Sequence, residues 1–227
     1  MDTGLILSGE KIVKSYRSGD ATIRVLDGAT ITISAGEMVV LFGPSGSGKT
    51  TLLHVLAGLE QPDSGSVSVN GTDVYSLSDA RRSRMRREQF GFIFQSFNLL
   101  SSMSALENVQ IPLWTLGRKN ARGLAAQVLE RVGLAHRMHH RPAELSGGEQ
   151  QRVAIARALV TQPKMVFADE PTGNLDSSSA SSVMNCLVSA VRDSNAGCLL
   201  VTHNAQWGEL ADRVLYLIDG RVEVEPK

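Results

Sequence analysis

Residues 38–50 read Met38-Val39-Val40-Leu41-Phe42-Gly43-Pro44-Ser45-Gly46-Ser47-Gly48-Lys49-Thr50, an apolar run that ends directly at a glycine-rich loop. The apolar run predicts a buried strand, and Thr51 to Leu56 predicts the helix after the loop. The loop matches G-x-x-x-x-G-K-[ST], whose glycines let backbone N–H groups face phosphate oxygens. Lys49 adds a positive charge, and the Thr50 hydroxyl can hold Mg²⁺. This order predicts an α/β fold that binds a nucleoside triphosphate.

A second glycine-rich stretch reads Leu145-Ser146-Gly147-Gly148-Glu149-Gln150-Gln151-Arg152. The residues after it, Val153 to Leu159, have apolar side chains at helical spacing, so a helix is predicted to begin at the Ser-Gly-Gly turn. The first N–H groups of a helix lie at its positive end, where anions bind. The chain therefore has a second candidate anion site.

Composition limits the class of protein. The chain has 227 residues, 42% of them hydrophobic, which suits a globular protein with an ample core. Its 23 basic and 23 acidic residues balance, so no overall field draws it to nucleic acid or anionic lipid, and only specific contacts could do so. Cys186 and Cys198 lack a framework spacing, so we expect no disulfide and a reducing compartment. No leader follows Met1, and no stretch approaches the roughly 18 apolar residues of a membrane span, so we expect a cytosolic chain.

The remaining segments predict two further layers. Leu5 to Tyr16 and Arg24 to Ile33 alternate apolar and polar residues, which predicts an antiparallel β layer before the phosphate loop. Ser96 to about Glu144 is predicted to be mostly helical, with apolar residues at helical spacing in Ala105 to Val109 and Ala121 to Val132.

Polar residues follow two other predicted buried strands. Met165 to Ala168 ends at Asp169 and Glu170, and Cys198 to Thr202 ends at His203. Ligands of parallel sheets bind at the carboxyl ends of the strands. Together with the phosphate loop, this placement predicts that Asp169 organises Mg²⁺ through water and that Glu170 is the base facing the attacking water.

With these motifs the chain resembles the ATP-binding subunits of ABC transporters over essentially its whole length. The Ser-Gly-Gly turn separates that family from other phosphate-loop proteins. Matched by position, Tyr16 resembles the aromatic residue that stacks on adenine, Gln95 the Q-loop glutamine and His203 the switch histidine. The longer motifs that match are Gly43 to Thr50 (Walker A), Leu145 to Glu149 (signature), Met165 to Glu170 (Walker B) and Asn174-Leu175-Asp176 (D-loop).

The resemblance implies a fold and a set of site residues. The implied fold is a P-loop NTPase core with a parallel sheet (residues 1–95 and 150–227, including an antiparallel β subdomain) and a helical subdomain (residues 96–149), all in one domain. Catalytic roles fall to Lys49, Glu170 and His203. The implied ATP-binding residues are Tyr16, Gly43, Pro44, Ser45, Gly46, Ser47, Gly48, Lys49, Thr50, Thr51 and Gln95, with Ser146, Gly147, Gly148, Glu149 and Asp176 contributed in trans. Thr50, Gln95 and Asp169, the last through water, would hold Mg²⁺.

The sequence departs from the family pattern at two positions. Glu149 ends the signature, where glutamine is commoner, and Asn204 follows His203, where the family usually has aspartate. Neither departure removes a residue to which the family pattern gives a catalytic role.

Two anion sites that both serve one γ-phosphate need not meet within a single copy, but they can meet in a head-to-tail homodimer. ATP would then join the two copies, and hydrolysis would release them. The resemblance further implies ATP and Mg²⁺ as cofactors, an integral membrane permease as a separate partner chain, and a peripheral position on the inner face of the cell membrane. No nucleic-acid partner is expected.

Four short motifs make the chain similar to the macrolide-exporter and lipoprotein-releasing branch of the family. They are Phe90 to Gln95, Ala105 to Val109, His140-Arg141-Pro142 and Pro171 to Asp176. The branch implies a permease with few membrane helices that transmits force across the membrane. The substrate is not readable from this chain.

Several alternatives stay open at this point. A regulatory ABC ATPase that controls an envelope process such as cell division, without a transported substrate, fits the same motifs. A soluble ABC protein acting on nucleic acid or ribosomes predicts tandem domains or long insertions, and a phosphate-loop kinase leaves the Ser-Gly-Gly turn unexplained.

Two local clusters each have two interpretations, and a third stretch predicts the start of a helix. Phe97, Leu99, Leu100 and Met103 are either core residues or a groove for a permease helix. The arginines from Arg81 to Arg87 form either a solvated helix face or a site for an anionic partner. The serine-rich stretch after Asp176 is predicted to start a helix that one of its serines caps.

Overall fold

The computed structural model describes residues 4–19 and 21–224. The chain divides into two compact units, Met1–Arg86 with Gly197–Lys227, and Arg87–Ala196. The strands in chain order are β1 (Leu5–Ser18), β2 (Ala21–Ser34), β3 (Met38–Phe42), β4 (Ser64–Val69), β5 (Thr72–Asp73), β6 (Phe90–Phe94), β7 (Met165–Asp169), β8 (Gly197–Val201), β9 (Arg213–Ile218) and β10 (Arg221–Glu223). The α-helices are α1 (Lys49–Leu56), α2 (Asp79–Gln89), α3 (Ala105–Thr115), α4 (Ala121–Arg131), α5 (Gly147–Leu159) and α6 (Ser177–Ser194).

An antiparallel sheet in the first unit has the strand order β2-β1-β4-β5. In its register Leu7 lies opposite Ile33, and Tyr16 lies opposite Ile23. Alternate residues of β2 are buried along its second half, as expected where one face of a sheet meets solvent. The predicted antiparallel layer is confirmed, and both strands extend a few residues beyond the predicted ends.

The first unit also holds the parallel strands that carry the phosphate loop. β3 lies between β8 and β9 and runs parallel to both. All five residues of β3 and of β8 are buried, because a strand covered on both faces is apolar throughout. Leu41 lies opposite Val201, so the ends of β3 and β8 are level. The Thr202 N–H donates to the Leu41 carbonyl at 3.2 Å, and the phosphate loop and His203 therefore leave the sheet at the same edge.

The second unit pairs β6 and β7 in parallel, and α5 packs against β6. Phe90, Phe92 and Phe167 pack against one another with ring centroids 5.2–6.4 Å apart. At Gly91 a Cβ atom would lie 2.4 Å from the Ala158 carbonyl oxygen, so only glycine lets α5 approach β6 this closely. The predicted helices from Ala105 and Ala121 are confirmed. The division into one domain with a helical subdomain at residues 96–149 stays a prediction.

Among the helices of residues 4–19 and 21–224, none combines the length and apolar character needed to cross a bilayer.

Candidate functional site

The phosphate loop is closed by its own lysine. The Lys49 ammonium donates to the carbonyl oxygens of Gly43 at 2.9 Å and Pro44 at 2.8 Å, and the residue is only 7% exposed. An ammonium has three donor hydrogens, so one remains for a phosphate oxygen. Lys49 therefore holds the loop in shape and brings a positive charge to its rim.

Two features of the loop fit a bound phosphate. Gly48 has φ 98°, and a Cβ atom there would lie 2.6 Å from Val25 Cγ1, so the backbone turn needs glycine. The Ser47 hydroxyl oxygen is buried and has no hydrogen-bond partner in the described structure. Buried polar atoms are almost always satisfied, so an orphaned hydroxyl inside this loop indicates a missing ligand oxygen.

A cavity of about 460 Å³ lies beside the loop within the first unit. Its lining comes from two strands and the loop itself, namely Ile23, Arg24, Val25, Pro44, Ser45, Gly46, Ser47, Leu217, Ile218, Asp219 and Gly220. The cavity therefore adjoins the loop that is predicted to bind phosphate.

Tyr16 presents an aromatic surface on β1, in the antiparallel sheet of the first unit. Its side chain is 39% exposed and sits across the strand pair from Ile23, which is 53% exposed. The Tyr16 hydroxyl donates to Thr51 Oγ1 at 3.5 Å, and burial of the ring raises the pKa of this phenol, so it stays neutral at physiological pH. Exposed neighbouring apolar side chains of this kind offer a stacking face for a flat ring.

His203 is exposed directly after β8, at the edge that carries the phosphate loop. The next residue, Asn204, accepts a hydrogen bond from the Gln206 N–H at 3.2 Å and caps the 3₁₀ helix Ala205–Leu210. Asparagine and aspartate both cap helices in this way. The departure from the family pattern at Asn204 thus keeps the local turn that follows His203.

In the second unit the register of β6 and β7 gathers a set of polar residues. Phe94 lies opposite Asp169, so Gln95 and Glu170 both follow at the same edge. Gln95 Nε2 donates to Asn174 Oδ1 at 3.0 Å, and Asn174 Nδ2 donates to the Gln95 carbonyl at 3.1 Å. This reciprocal pair ties the Q-loop position to the D-loop position.

Glu170 has a left-handed backbone with φ 45°. For a residue with a side chain this conformation costs about 1–3 kcal/mol and persists where the surroundings enforce it. The Gly173 N–H donates to the Glu170 carbonyl at 3.0 Å and so braces the turn. Enforced backbone strain of this kind clusters at functional sites, which agrees with the predicted role of this carboxylate.

The Ser-Gly-Gly turn begins α5 as predicted and forms a capping box. Ser146 Oγ accepts from the Glu149 N–H at 3.3 Å, while the Glu149 carboxylate accepts from the Ser146 N–H at 2.8 Å. The first N–H groups of a helix have no intrahelical acceptor, and the box satisfies only that of Glu149. The Gly147 and Gly148 N–H groups are thus the ones that an anion can use.

The contacts of Glu149 compensate the negative charge that this residue brings to the signature. The hydrogen bond from the Ser146 N–H holds the pKa of Glu149 below its ordinary value, so the group is charged. Arg137 Nε donates to it at 3.2 Å and offsets that charge. Without Arg137, a fixed negative charge beside Gly147 and Gly148 would repel a phosphate.

One prediction at the D-loop is wrong. The helix after Asp176 is capped by Asp176 itself, whose carboxylate accepts from the N–H groups of Ser178 at 3.1 Å and Ser179 at 3.0 Å. The Ser178 hydroxyl also donates to it at 2.7 Å, and these bonds together lower the pKa of Asp176. Aspartate caps as well as serine does, so the helix begins at Ser177 without a serine cap.

Sequence reasoning missed two residues that hold the segment after Gln95. Asn108 is fully buried; its Oδ1 accepts from the Leu100 N–H, and its Nδ2 shares two hydrogens among the carbonyls of Leu100, Met103 and Ser104. Arg157, on α5, donates to the carbonyls of Phe97, at 2.8 Å, and Asn98, both of which have positive φ. An asparagine inside a predicted helix was the only sequence signal for Asn108. Nothing in the sequence pointed to Arg157.

The structure places the residues of the two apolar and basic clusters whose interpretation was open. Phe97, Leu99 and Met103 are half-buried and Leu100 is 48% exposed, so these are not core residues. On α2, Arg86 donates to the Gly58 carbonyl at 2.6 Å. The Arg82 guanidinium lies 5.3 Å from the centre of the Tyr75 ring. At least two arginines of the cluster are therefore structural.

Comparison with known proteins agrees with this geometry. The family model described as ABC transporter matches residues 26–173. A relative named "Lipoprotein-releasing system ATP-binding protein LolD" from Legionella pneumophila (strain Paris) is 45% identical over 218 residues, covering 95% of this chain and 96% of the relative. The protein of the same name from Bordetella pertussis is 47% identical over 224 residues, covering 98% and 97%.

Solved structures resemble the whole chain as well. The dimeric bacterial ABC transporter cassette MJ0796 superimposes with a TM-score of 0.87 at 36% identity, covering 98% of each chain. A post-hydrolysis form of the same cassette, bound to ADP and Pi, has the same TM-score of 0.87 and the same identity. With the family model matching most of its length, the chain belongs to the ATP-binding cassettes of the ABC transporters and is an ABC ATPase.

Proposed function

We propose that this chain is the Mg²⁺-dependent ATPase subunit of a lipoprotein-releasing transporter, working as a homodimer on a separate membrane permease. The observation that carries the proposal is the end-to-end match to relatives with that name, at 45% and 47% identity. Attachment through the permease would place the chain on the inner face of the cell membrane.

In the first unit the phosphate loop supplies the grip on the nucleotide. The loop N–H groups and Lys49 would hold the β- and γ-phosphates, and the orphaned Ser47 hydroxyl fits one of their oxygens. The exposed ring of Tyr16 would stack on adenine. These roles bind and orient ATP without any chemical step.

The donors expected around a metal have the right chemistry. Thr50, Gln95 and Asp169 offer a hydroxyl, an amide oxygen and a carboxylate, and Mg²⁺ prefers oxygen ligands. When bound, the ion would neutralise charge that develops on the phosphate oxygens. The hydrogen bond from Gln95 Nε2 to Asn174 fixes the amide so that its Oε1 is the atom left to serve as a ligand.

Hydrolysis needs a base and a group that stabilises the γ-phosphate. Glu170 would accept the proton of the attacking water, and its braced left-handed backbone sets the direction in which the side chain leaves the main chain. His203, exposed after β8, would donate to the γ-phosphate.

The homodimer is proposed to place a second set of donors on the same phosphate. Ser146, Gly147 and Gly148 of one copy would contact the triphosphate held by the phosphate loop of the other. The free Gly147 and Gly148 N–H groups at the start of α5 suit that contact. Loss of the γ-phosphate would remove the contact and let the two copies part.

The proposed route to the permease starts at Gln95. The exposed and half-buried apolar residues just after it would receive a cytoplasmic helix of the permease, and Asn108 and Arg157 hold the backbone of that segment in place. A change at Gln95 would then reach the permease through a rigid connection.

The test is affinity capture of the tagged chain from detergent-solubilised membranes, followed by reconstitution with whatever permease is recovered. Recovery of an integral membrane protein, with ATP-dependent release of lipoprotein from proteoliposomes, is the expected result. Recovery of a permease with ATP hydrolysis but no release would favour the regulatory alternative. Recovery of no membrane protein would contradict the proposal.

A further inference from the structure

The turn between α3 and α4 exposes an aromatic ring beside three cations. Trp114 lies in the last turn of α3 and is 47% exposed. Arg118, Lys119 and Arg122 follow it and are all exposed. We call residues 114–122 the α3–α4 turn.

The cations of the α3–α4 turn have no counter-charge nearby. Among residues 4–19 and 21–224, no ion pair or side-chain hydrogen bond involves Arg118, Lys119 or Arg122. The sequence between Glu107 and Glu130 contains no acidic residue. This surface is therefore locally basic in a chain whose total charge is balanced.

The position of Arg122 is unfavourable for helix stability. It occupies the second residue of α4, whose first turn contains no acidic residue, and the N-cap Asn120 makes no side-chain cap bond. A helix start is the positive end of the dipole, so a cation there destabilises the helix. A locally unfavourable charge without a structural contact points to a functional contact.

Hydrogen bonds also fix the backbone of the turn. Gly117 has φ 66°, and its N–H donates to the Trp114 carbonyl at 3.0 Å. The Arg118 N–H donates to the Leu113 carbonyl, also at 3.0 Å. These two bonds form a Schellman motif, which fixes the chain direction after α3. The tryptophan and the cations are thus presented together by ordered backbone.

We propose that the α3–α4 turn binds the surface of an anionic lipid bilayer directly. Tryptophan favours the membrane–water interface because its ring is apolar and its N–H is polar, and cations beside it attract anionic headgroups. A single exposed ring followed by cations suits a bilayer better than a nucleic acid, which uses several aromatic rings along a basic groove. The contact belongs to this chain alone and needs no permease, so it is separate from the attachment proposed above.

The test uses the full chain with vesicles of phosphatidylcholine, with and without phosphatidylglycerol. Binding to the anionic vesicles is expected, and the triple variant R118Q/K119Q/R122Q should weaken it by about 100-fold, since each cation near such a surface contributes about fivefold. The chain has two tryptophans, and Trp207 is only 5% exposed, so protection from iodide quenching on binding reports on Trp114.

A matched control removes the same charge elsewhere in the second unit. The variant R87Q/R141Q/K164Q loses three exposed cations outside the α3–α4 turn. It should keep most of the vesicle binding, and both triple variants should keep basal ATPase activity, which reports folding. Equal loss in the two variants, unchanged quenching of Trp114, or tighter binding to single-stranded nucleic acid than to vesicles would each overturn the proposal. None of these results would affect recovery of a permease.

Discussion

Replacing Asn108 by alanine should destabilise the protein by more than the loss of side-chain packing alone would. The Asn108 Oδ1 accepts from the Leu100 N–H at 2.8 Å, and the two hydrogens of Nδ2 are shared among the carbonyls of Leu100 at 3.1 Å, Met103 at 3.1 Å and Ser104 at 3.0 Å. Each such bond contributes about 1 kcal/mol net, and an amide left unsatisfied costs about 1–3 kcal/mol. One accepted bond and two donated hydrogens therefore give an expected loss of about 3 kcal/mol.

The assay is urea unfolding followed by circular dichroism. A loss of about 3 kcal/mol with a slope of about 3 kcal/mol per molar lowers the midpoint by about 1 M. Gln110→Ala is the matched control, since Gln110 is on the same helix, is 8% exposed, and makes no side-chain hydrogen bond within the part of the chain that the structure describes. It should lose about 1 kcal/mol from packing alone. Equal midpoints for the two variants would refute the hydrogen-bond argument.

Three further predictions concern the site. Glu170→Gln should lower steady-state ATP hydrolysis by about 10²-fold or more while ATP affinity is kept, and hydrolysis at the parental rate would remove Glu170 from its role. Arg157→Lys should reduce permease-stimulated ATPase activity more than basal activity, because one ammonium cannot replace the paired bonds to Phe97 and Asn98; equal effects on both activities would count against this. The pKa of Glu149 is lowered in the fold, so its charged carboxylate stabilises the folded protein above pH 4.5, and this stabilisation is lost as the pH falls below that value. Urea unfolding of Glu149→Gln should therefore show a lower free energy of unfolding at pH 7 and a smaller decrease toward acid pH than the parent protein. Parallel pH curves for the two proteins would contradict this prediction.

The parallel core could be predicted because its signals are local and strong. The apolar runs of β3, β7 and β8 each end at a polar motif, and burial on both faces leaves little choice of structure. The phosphate loop needs glycine where the backbone φ is positive, as at Gly46 and Gly48, and that need is visible in the sequence.

Other features depend on contacts that a sequence does not display. Arg157 could be placed beside Phe97 only by knowing that α5 packs near the segment after β6. The cap at Asp176 could be missed because aspartate and serine are equally good caps, and only the backbone decides which residue precedes the first helical turn. The left-handed backbone of Glu170 is likewise set by its surroundings, since its own side chain disfavours it.

The capping boxes were a missed sequence signal. Ser146 to Glu149 and Ser104 to Glu107 both fit S-x-x-E, and both form the box in the structure. Recognising the pattern would have assigned Glu149 a structural role, in addition to its place in the signature.

In the proposed homodimer, one triphosphate is held by two copies of this chain. The direct measurement is ATPase activity after mixing a Lys49→Ala copy with a Ser146→Arg copy, each inactive by itself. A mixed dimer contains one intact pocket, built from the phosphate loop of the second variant and the α5 start of the first, so activity should return on mixing. A mixture that stays inactive although the variants form mixed dimers, or full activity from a copy that remains monomeric, would contradict the account.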